Sequence, residues 1–175
     1  MSPAGWTSGE GKPCAPELLT SGHDMSSFFS GEPDLDDWVK RRALKNQDSG
    51  ASRTYVVTTG RAVVGYYSLA VGALSQESAF GRVRRNMPDP IPVMLVGRLA
   101  VDRAWQRKGL GRALLRDAIL RTIQAADIAG IRAILIHALS QDAKTFYERC
   151  GFYGSAVDPM ILMLTLQEAR TMVQV

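Results

Sequence analysis

Leu99-Ala-Val-Asp-Arg-Ala-Trp-Gln106-Arg-Lys-Gly109-Leu-Gly111-Arg112-Ala-Leu-Leu115 is the stretch whose reading decides the fold. Its first residues close the nearly unbroken apolar run Pro92-Val-Met-Leu-Val-Gly-Arg-Leu-Ala-Val101, as expected of a central strand. A short basic turn follows. Leu110, Leu114, Leu115, Ala118, Ile119, Ile123 and Ala126 then mark the buried stripe of a helix expected over Leu110–Ala129 and ended by Gly130. The first N–H groups of a helix have no partner within it, and with the helix dipole they form an anion site. Glycines at 109 and 111 let a ligand approach the backbone, while Arg107, Lys108 and Arg112 add fixed positive charge. Strand, basic glycine turn and helix in this order point to a bound pyrophosphate. The spacing is not GxGxxG, and no βαβ unit supplies an acidic ribose partner, which argues against a dinucleotide site.

Outward from this stretch the chain alternates strands and helices. Glu17–Thr20 is a candidate first strand, and a helix is expected from about Asp34 to Lys45. Asp34, Asp36 and Asp37 read as first-turn charges matching the helix dipole, and Lys40, Arg41, Arg42 and Lys45 fall towards its end. Arg53–Thr59 and Ala62–Val71 are β-rich runs joined by a hairpin at Gly60-Arg61. Pro88, Pro90 and Pro92 exclude regular structure from the 75–92 connection. Ile131–Ile136 is a buried strand, Ser140 caps a helix running to about Cys150, Gly151 ends it, and Met160–Leu166 is a last strand. This order gives an α/β domain with a mixed sheet flanked by helices. Residues 1–16 are expected to be a flexible leader, 17–166 one domain, and 167–175 a tail, either frayed or a short helix.

Bulk properties bound the function. The 175 residues suit one domain, with 46% hydrophobic and 22% charged residues, and they hold no internal repeat. The longest apolar runs, Pro92–Gly97 and Ala133–Ile136, are strand-sized, so no membrane partner is expected. No basic region followed by an apolar stretch opens the chain, and Cys14 and Cys150 read as reduced thiols, so a cytoplasmic location is expected. With two histidines and no ligand spacing, no metal is expected. The net charge is +4, and 16 of the 21 cations are arginine, the residue suited to bidentate phosphate contact.

Gln106–Gly111 resembles the acetyl-CoA pyrophosphate loop, Q/R-x-x-G-x-G/A, of the GNAT N-acetyltransferases, and the likeness extends over about Glu17 to Leu166. Ala143-Lys-Thr-Phe146-Tyr147-Glu148-Arg149-Cys150-Gly151-Phe152 resembles the A-x-x-F-Y-E-x-x-G-F segment of the same family. The resemblance implies a GNAT-like fold, acetyl-CoA as co-substrate, and Tyr147 as the acid that protonates the departing thiolate. It further implies cofactor contacts at Leu99, Ala100, Val101, Gln106, Arg107, Lys108, Gly109, Leu110, Gly111 and Arg112, with the N–H groups of 99–101 holding the oxyanion. Phe146 reads as a core aromatic, Trp38 and Trp105 as packing residues, and His137 as a satisfied core histidine.

Many GNAT relatives carry a glutamate base on the central strand, whereas here no carboxylate follows Met94 until Asp102. An α-amine with a pKa of about 7.7–8.0 is roughly one-fifth neutral near neutral pH, and a lysine amine near about 10.4 only about one-thousandth. An α-amine acceptor therefore suits the missing base. Phe28-Phe29-Ser30-Gly31-Glu-Pro-Asp34-Leu35-Asp36-Asp37-Trp38-Val39 resembles the opening of the bacterial acetyltransferase toxins of toxin–antitoxin modules. That resemblance implies acetylation of aminoacyl-tRNA, a homodimer and a ribbon-helix-helix antitoxin. Arg82, Arg84, Arg85 and Arg98 are the candidates for tRNA contact. The alternatives are an acetyltransferase of a small amine, drug or protein N-terminus, and a non-catalytic acyl-CoA or RNA-binding module.

Overall fold

A computed structural model describes residues 11–155 and 157–174; residues 1–10 of the expected leader lie outside them. The strands follow the order β1-β2-β3-β4-β5-β7-β6 in one mixed sheet. They are β1 Glu17–Leu18, β2 Arg53–Thr59, β3 Ala62–Leu74, β4 Ile91–Val101, β5 Ala133–His137, β6 Tyr153–Gly154 and β7 Ile161–Thr165. The helices are α1 Pro33–Arg41, α2 Ala43–Asp48, α3 Gly81–Arg84, α4 Leu110–Ala126, α5 Gln141–Arg149 and α6 Leu166–Val173. β4 and β5 are parallel, and β2–β3, β5–β7 and β6–β7 are antiparallel. No helix among the described residues is long and apolar enough to cross a membrane. Among the same residues, no group of three or more His, Cys, Asp or Glu could hold a metal ion.

The chain forms two compact units, and β3 and β4 give residues to both. The first comprises the described residues through Leu69 with Arg98–Ala118. Its core gathers Leu19, Phe28, Leu35, Trp38, Val39, Val56, Val63 and Tyr66. Trp38 stacks on Tyr66 with ring centroids 5.9 Å apart, so the packing role expected of Trp38 holds. The second comprises Ala70–Gly97 with Ile119 onward, around Leu74, Val83, Ile91, Val93, Ala133 and Met163.

Several elements depart from the sequence expectation. The helix over 34–45 is two helices, broken at Arg42 (φ −119°, ψ −29°). Past the break, Gln47 in α2 donates to the Leu19 carbonyl at 2.7 Å and accepts from Thr54 N–H at 3.0 Å. These tertiary contacts override the continuous helical pattern. The 75–92 connection contains a 3-10 turn at Gln76–Ser78 and α3, both ahead of the prolines that exclude a helix further on. α4 ends at Ala126, short of Gly130, and buries Asp117 and Thr122 where a purely apolar stripe was expected. Tyr67 donates to the buried Asp117 carboxylate, which satisfies it. His137 ends β5 and is exposed, so it is not the core histidine expected: it stands at the last position of the strand, past the mostly buried Ala133–Ile136. Ser140 caps α5 by accepting from Ala143 N–H at 3.1 Å, and Gly151 (φ +97°) follows its end, both as expected. The final residues form α6, opened by a reciprocal capping box between Thr165 and Glu168.

Candidate active site

The loop expected to hold a pyrophosphate belongs to the first unit. β4 ends at Val101, a 3-10 turn spans Arg103–Trp105, and α4 starts at Leu110. Asp102 opens the turn by accepting from Ala104 N–H at 3.0 Å. Arg107 (φ +62°) and Gly109 (φ +83°) both adopt left-handed backbone. That conformation is easy for glycine and costly for arginine, so the loop is held by its surroundings. Nothing lies within 4 Å of where a Cβ on Gly109 would sit, which leaves the backbone there open to a ligand. Arg107, Lys108 and Arg112 are exposed. Lys108 rests 5.0 Å over the Trp105 ring. The open glycine, the start of a 17-residue helix and the exposed cations fit a pyrophosphate.

Gln106 does more than open a motif. Its side-chain amide donates to the Ser30 carbonyl at 2.8 Å and to the Val101 carbonyl at 2.9 Å. Sequence reasoning did not assign Ser30 a part in the loop. The only signal available was that Ser30 falls inside the Phe28–Val39 resemblance.

Tyr147 lies on α5 in the second unit and is 6% exposed. Its ring packs edge-on between Phe146 and Phe152, at centroid distances of 5.2 and 6.2 Å. Burial, and secondarily Cys150, push its phenol above the ordinary tyrosine range. The hydroxyls of Tyr66, Tyr67 and Tyr153 are committed to Leu35, Asp117 and Glu168 respectively. The Tyr147 hydroxyl makes no hydrogen bond to a described residue. The arrangement is a fixed, protonated phenol with its donor uncommitted. Phe146 is only half-buried, so Tyr147 rather than Phe146 is the sealed aromatic of this helix.

The expected arginines divide. In the second unit Arg82 pairs with Glu168 at 2.5 Å and lies 4.4 Å over the Tyr153 ring. Arg84 and Arg85 are exposed. In the first unit Arg98 is half-buried, its guanidinium 4.4 Å over the Trp38 ring, which supplies the partner such a charge needs on an apolar strand.

The chain is similar to known proteins along most of its length. The chain is 52% identical over 159 residues to the tRNA-acetylating toxin of Mycobacterium tuberculosis, covering 91% of this chain and 96% of that protein. It superposes on AtaT complexed with acetyl-methionyl-tRNAfMet with a TM-score of 0.83 at 25% identity, covering 90% and 97% of the two chains. A tyrosine-to-phenylalanine mutant of AtaT, bound to the C-terminus of the antitoxin AtaR and acetyl-CoA, matches with a TM-score of 0.79 at 26% identity, covering 92% and 98%. Residues 50–153 match the acetyltransferase (GNAT) domain, and the chain belongs to that family.

Proposed function

We propose that this chain is an acetyl-CoA-dependent N-acetyltransferase toxin that acetylates the α-amino group of aminoacyl-tRNA, so that the charged tRNA cannot serve as acceptor in peptide-bond formation. The observation that carries this reading is the 52% identity to a tRNA-acetylating toxin along almost the whole of both chains. The AtaT complexes with acetyl-methionyl-tRNAfMet and with acetyl-CoA agree with it at lower identity.

The residues take the following parts. Arg107, Lys108, Gly109, Leu110, Gly111 and Arg112 bind the pyrophosphate through main-chain N–H groups and positive charge. Gln106 holds the loop. N–H groups of Leu99, Ala100 and Val101 stabilise the negative charge that develops on the acyl oxygen. Acetyl-CoA supplies the acetyl group as a thioester. The amine nitrogen attacks its carbonyl carbon, the carbon–sulfur bond breaks, the amine loses a proton to water, and Tyr147 gives its proton to the departing sulfur. An α-amine needs no strong base for this, which suits a strand without a glutamate.

Arg82, Arg84, Arg85 and Arg98 are the proposed contacts to tRNA. A homodimer, a ribbon-helix-helix antitoxin and a cytoplasmic location complete the reading, with residues 17–166 as the catalytic domain. The test offers labelled acetyl-CoA together with bulk charged tRNA, free amino acids and peptides. Label on the aminoacyl group of tRNA is the expected result. Label on free amino acids or peptides with equal efficiency would make this a small-amine or N-terminal acetyltransferase.

A further inference from the structure

We propose that Asp36 is a positioning residue for the coenzyme loop, acting through Ser30 and Gln106; the inference rests on the reading of that loop given above. Asp36 sits in the first turn of α1, where an acidic side chain ordinarily faces water, yet it is 6% exposed. Its Oδ1 accepts from Ser30 N–H at 3.0 Å and from Ser30 Oγ–H at 2.7 Å. Ser30 Oγ in turn accepts from Glu32 N–H at 3.1 Å. Both donors of Ser30 are thus held by one carboxylate, which fixes the residue in place, and its carbonyl is the one that receives Gln106.

Hydrogen bonds to a charged acceptor are stronger than neutral ones, and a buried carboxylate holds its partners tightly. The helix does not require this arrangement. Glu32 occupies the N-cap without capping through its side chain, and Asp36 reaches past it to a residue outside the helix. The loop does require a hold, because Arg107, directly after Gln106, is in left-handed backbone.

Neighbouring contacts lie along the same line. Asp102 Oδ2 accepts from Phe29 N–H at 2.9 Å, and Arg103 N–H donates to the Phe29 carbonyl at 2.8 Å. Gly31 has a φ of +98°, a backbone conformation that favours glycine, and the Arg103 guanidinium lies against it. Residues 29–31 form a rail on which 102–106 is laid, and Asp36 fastens the rail to α1.

The test uses the full-length protein, with acetyl-CoA titrated by calorimetry and steady-state kinetics on charged tRNA. Asp36→Asn keeps the side-chain shape and removes the charge. Its Kd and KM for acetyl-CoA should rise roughly ten- to hundredfold, the usual worth of hydrogen bonds to a charged group. The KM for tRNA, and kcat at saturating acetyl-CoA, should stay within about twofold, a split that loss of folded protein alone does not produce. Gln106→Ala should raise the acetyl-CoA constants similarly, and the double variant should be no worse than the poorer single one, because both break the same relay. Additive losses in the double variant, or unchanged acetyl-CoA affinity in Asp36→Asn, overturn the proposal. If Asp36→Asn does not fold, Ser30→Ala carries the same comparison, since it deletes the hydroxyl's bonds to Asp36 and Glu32 and keeps the main-chain bond to Asp36. Wild-type protein that binds no acetyl-CoA would remove the reading of the loop itself, and the relay with it.

Discussion

Arg82 and Glu168, 86 residues apart in sequence, form a short ion pair that joins α3 to α6, with Arg82 also lying over the Tyr153 ring. Burial works against the Glu168 carboxylate. Hydrogen bonds from the Thr165 main chain and side chain and from Tyr153, together with Arg82, outweigh it and hold Glu168 below the ordinary carboxylate range. Arg82 therefore already has structural partners, whereas Arg84 and Arg85 are exposed.

The proposed tRNA contacts should separate along that line. Arg84→Ala with Arg85→Ala should weaken tRNA use and flatten its salt dependence by about one log unit per log of salt, or slightly less, for each phosphate these arginines neutralise. Thermal stability and acetyl-CoA affinity should not change. Adding Arg82→Ala should also lower stability, by under about 1 kcal/mol, because the Arg82 side of the pair is solvent-exposed. Filter binding over a salt series, alongside melting curves, reads both effects. An unchanged slope in the double variant would move the tRNA backbone away from α3.

The coenzyme loop makes a sharper demand. Gly111→Glu brings bulk and negative charge to the start of α4 and should abolish acetyl-CoA binding, measured by calorimetry, while circular dichroism shows the fold retained. Gly109→Ala meets no atom within 4 Å, but Gly109 has a φ of +83°. It should cost about 1–2 kcal/mol of stability from backbone strain, measured by denaturant unfolding. Affinity equal to wild type in Gly111→Glu would place the pyrophosphate elsewhere.

Tyr147→Phe removes one oxygen from a ring that is otherwise packed. Its hydroxyl makes no hydrogen bond to a described residue, so stability should be nearly unchanged. Acetyl-CoA binding should persist, and turnover should fall on the order of 10²–10⁴-fold, the span for a positioned acid. Single-turnover kinetics isolates the chemical step. A loss below about tenfold there would show that the sulfur takes its proton from another donor.

The pH profile follows from the same tyrosine. Burial raises the Tyr147 phenol, so its catalytic form, the protonated one, is full at low pH and is lost only above its raised pKa. The rate should therefore climb as the acceptor α-amine deprotonates, around about pH 7.7–8.0 or lower where the amine is more acidic. It should then stay level past about pH 10, where an unperturbed tyrosine would ionise. A descending limb near neutral pH under chemistry-limited conditions would require a different acid.

Sequence by itself determined the features that depend on contiguous residues. The run from Leu99 to Leu115 carries its strand, turn and helix in adjacent positions, so apolar spacing and two glycines were enough to read it. The same holds for the Ser140 and Gly151 caps of α5 and for the hairpin at Gly60-Arg61, where local hydrogen bonds and backbone freedom decide the outcome. Tertiary structure decided what depends on residues far apart. Gln106 meets Ser30 across 76 positions, Tyr67 meets Asp117 across 50, and Arg98 finds Trp38 on another element. No local pattern encodes these pairings. Asp36 reads as a solvent-facing first-turn charge until the chain folds Ser30 back over it, and Arg42 reads as helix interior until the Gln47 contacts turn the next helix aside. A buried polar group must find a partner, and which partner it finds is set by the packing of the whole chain.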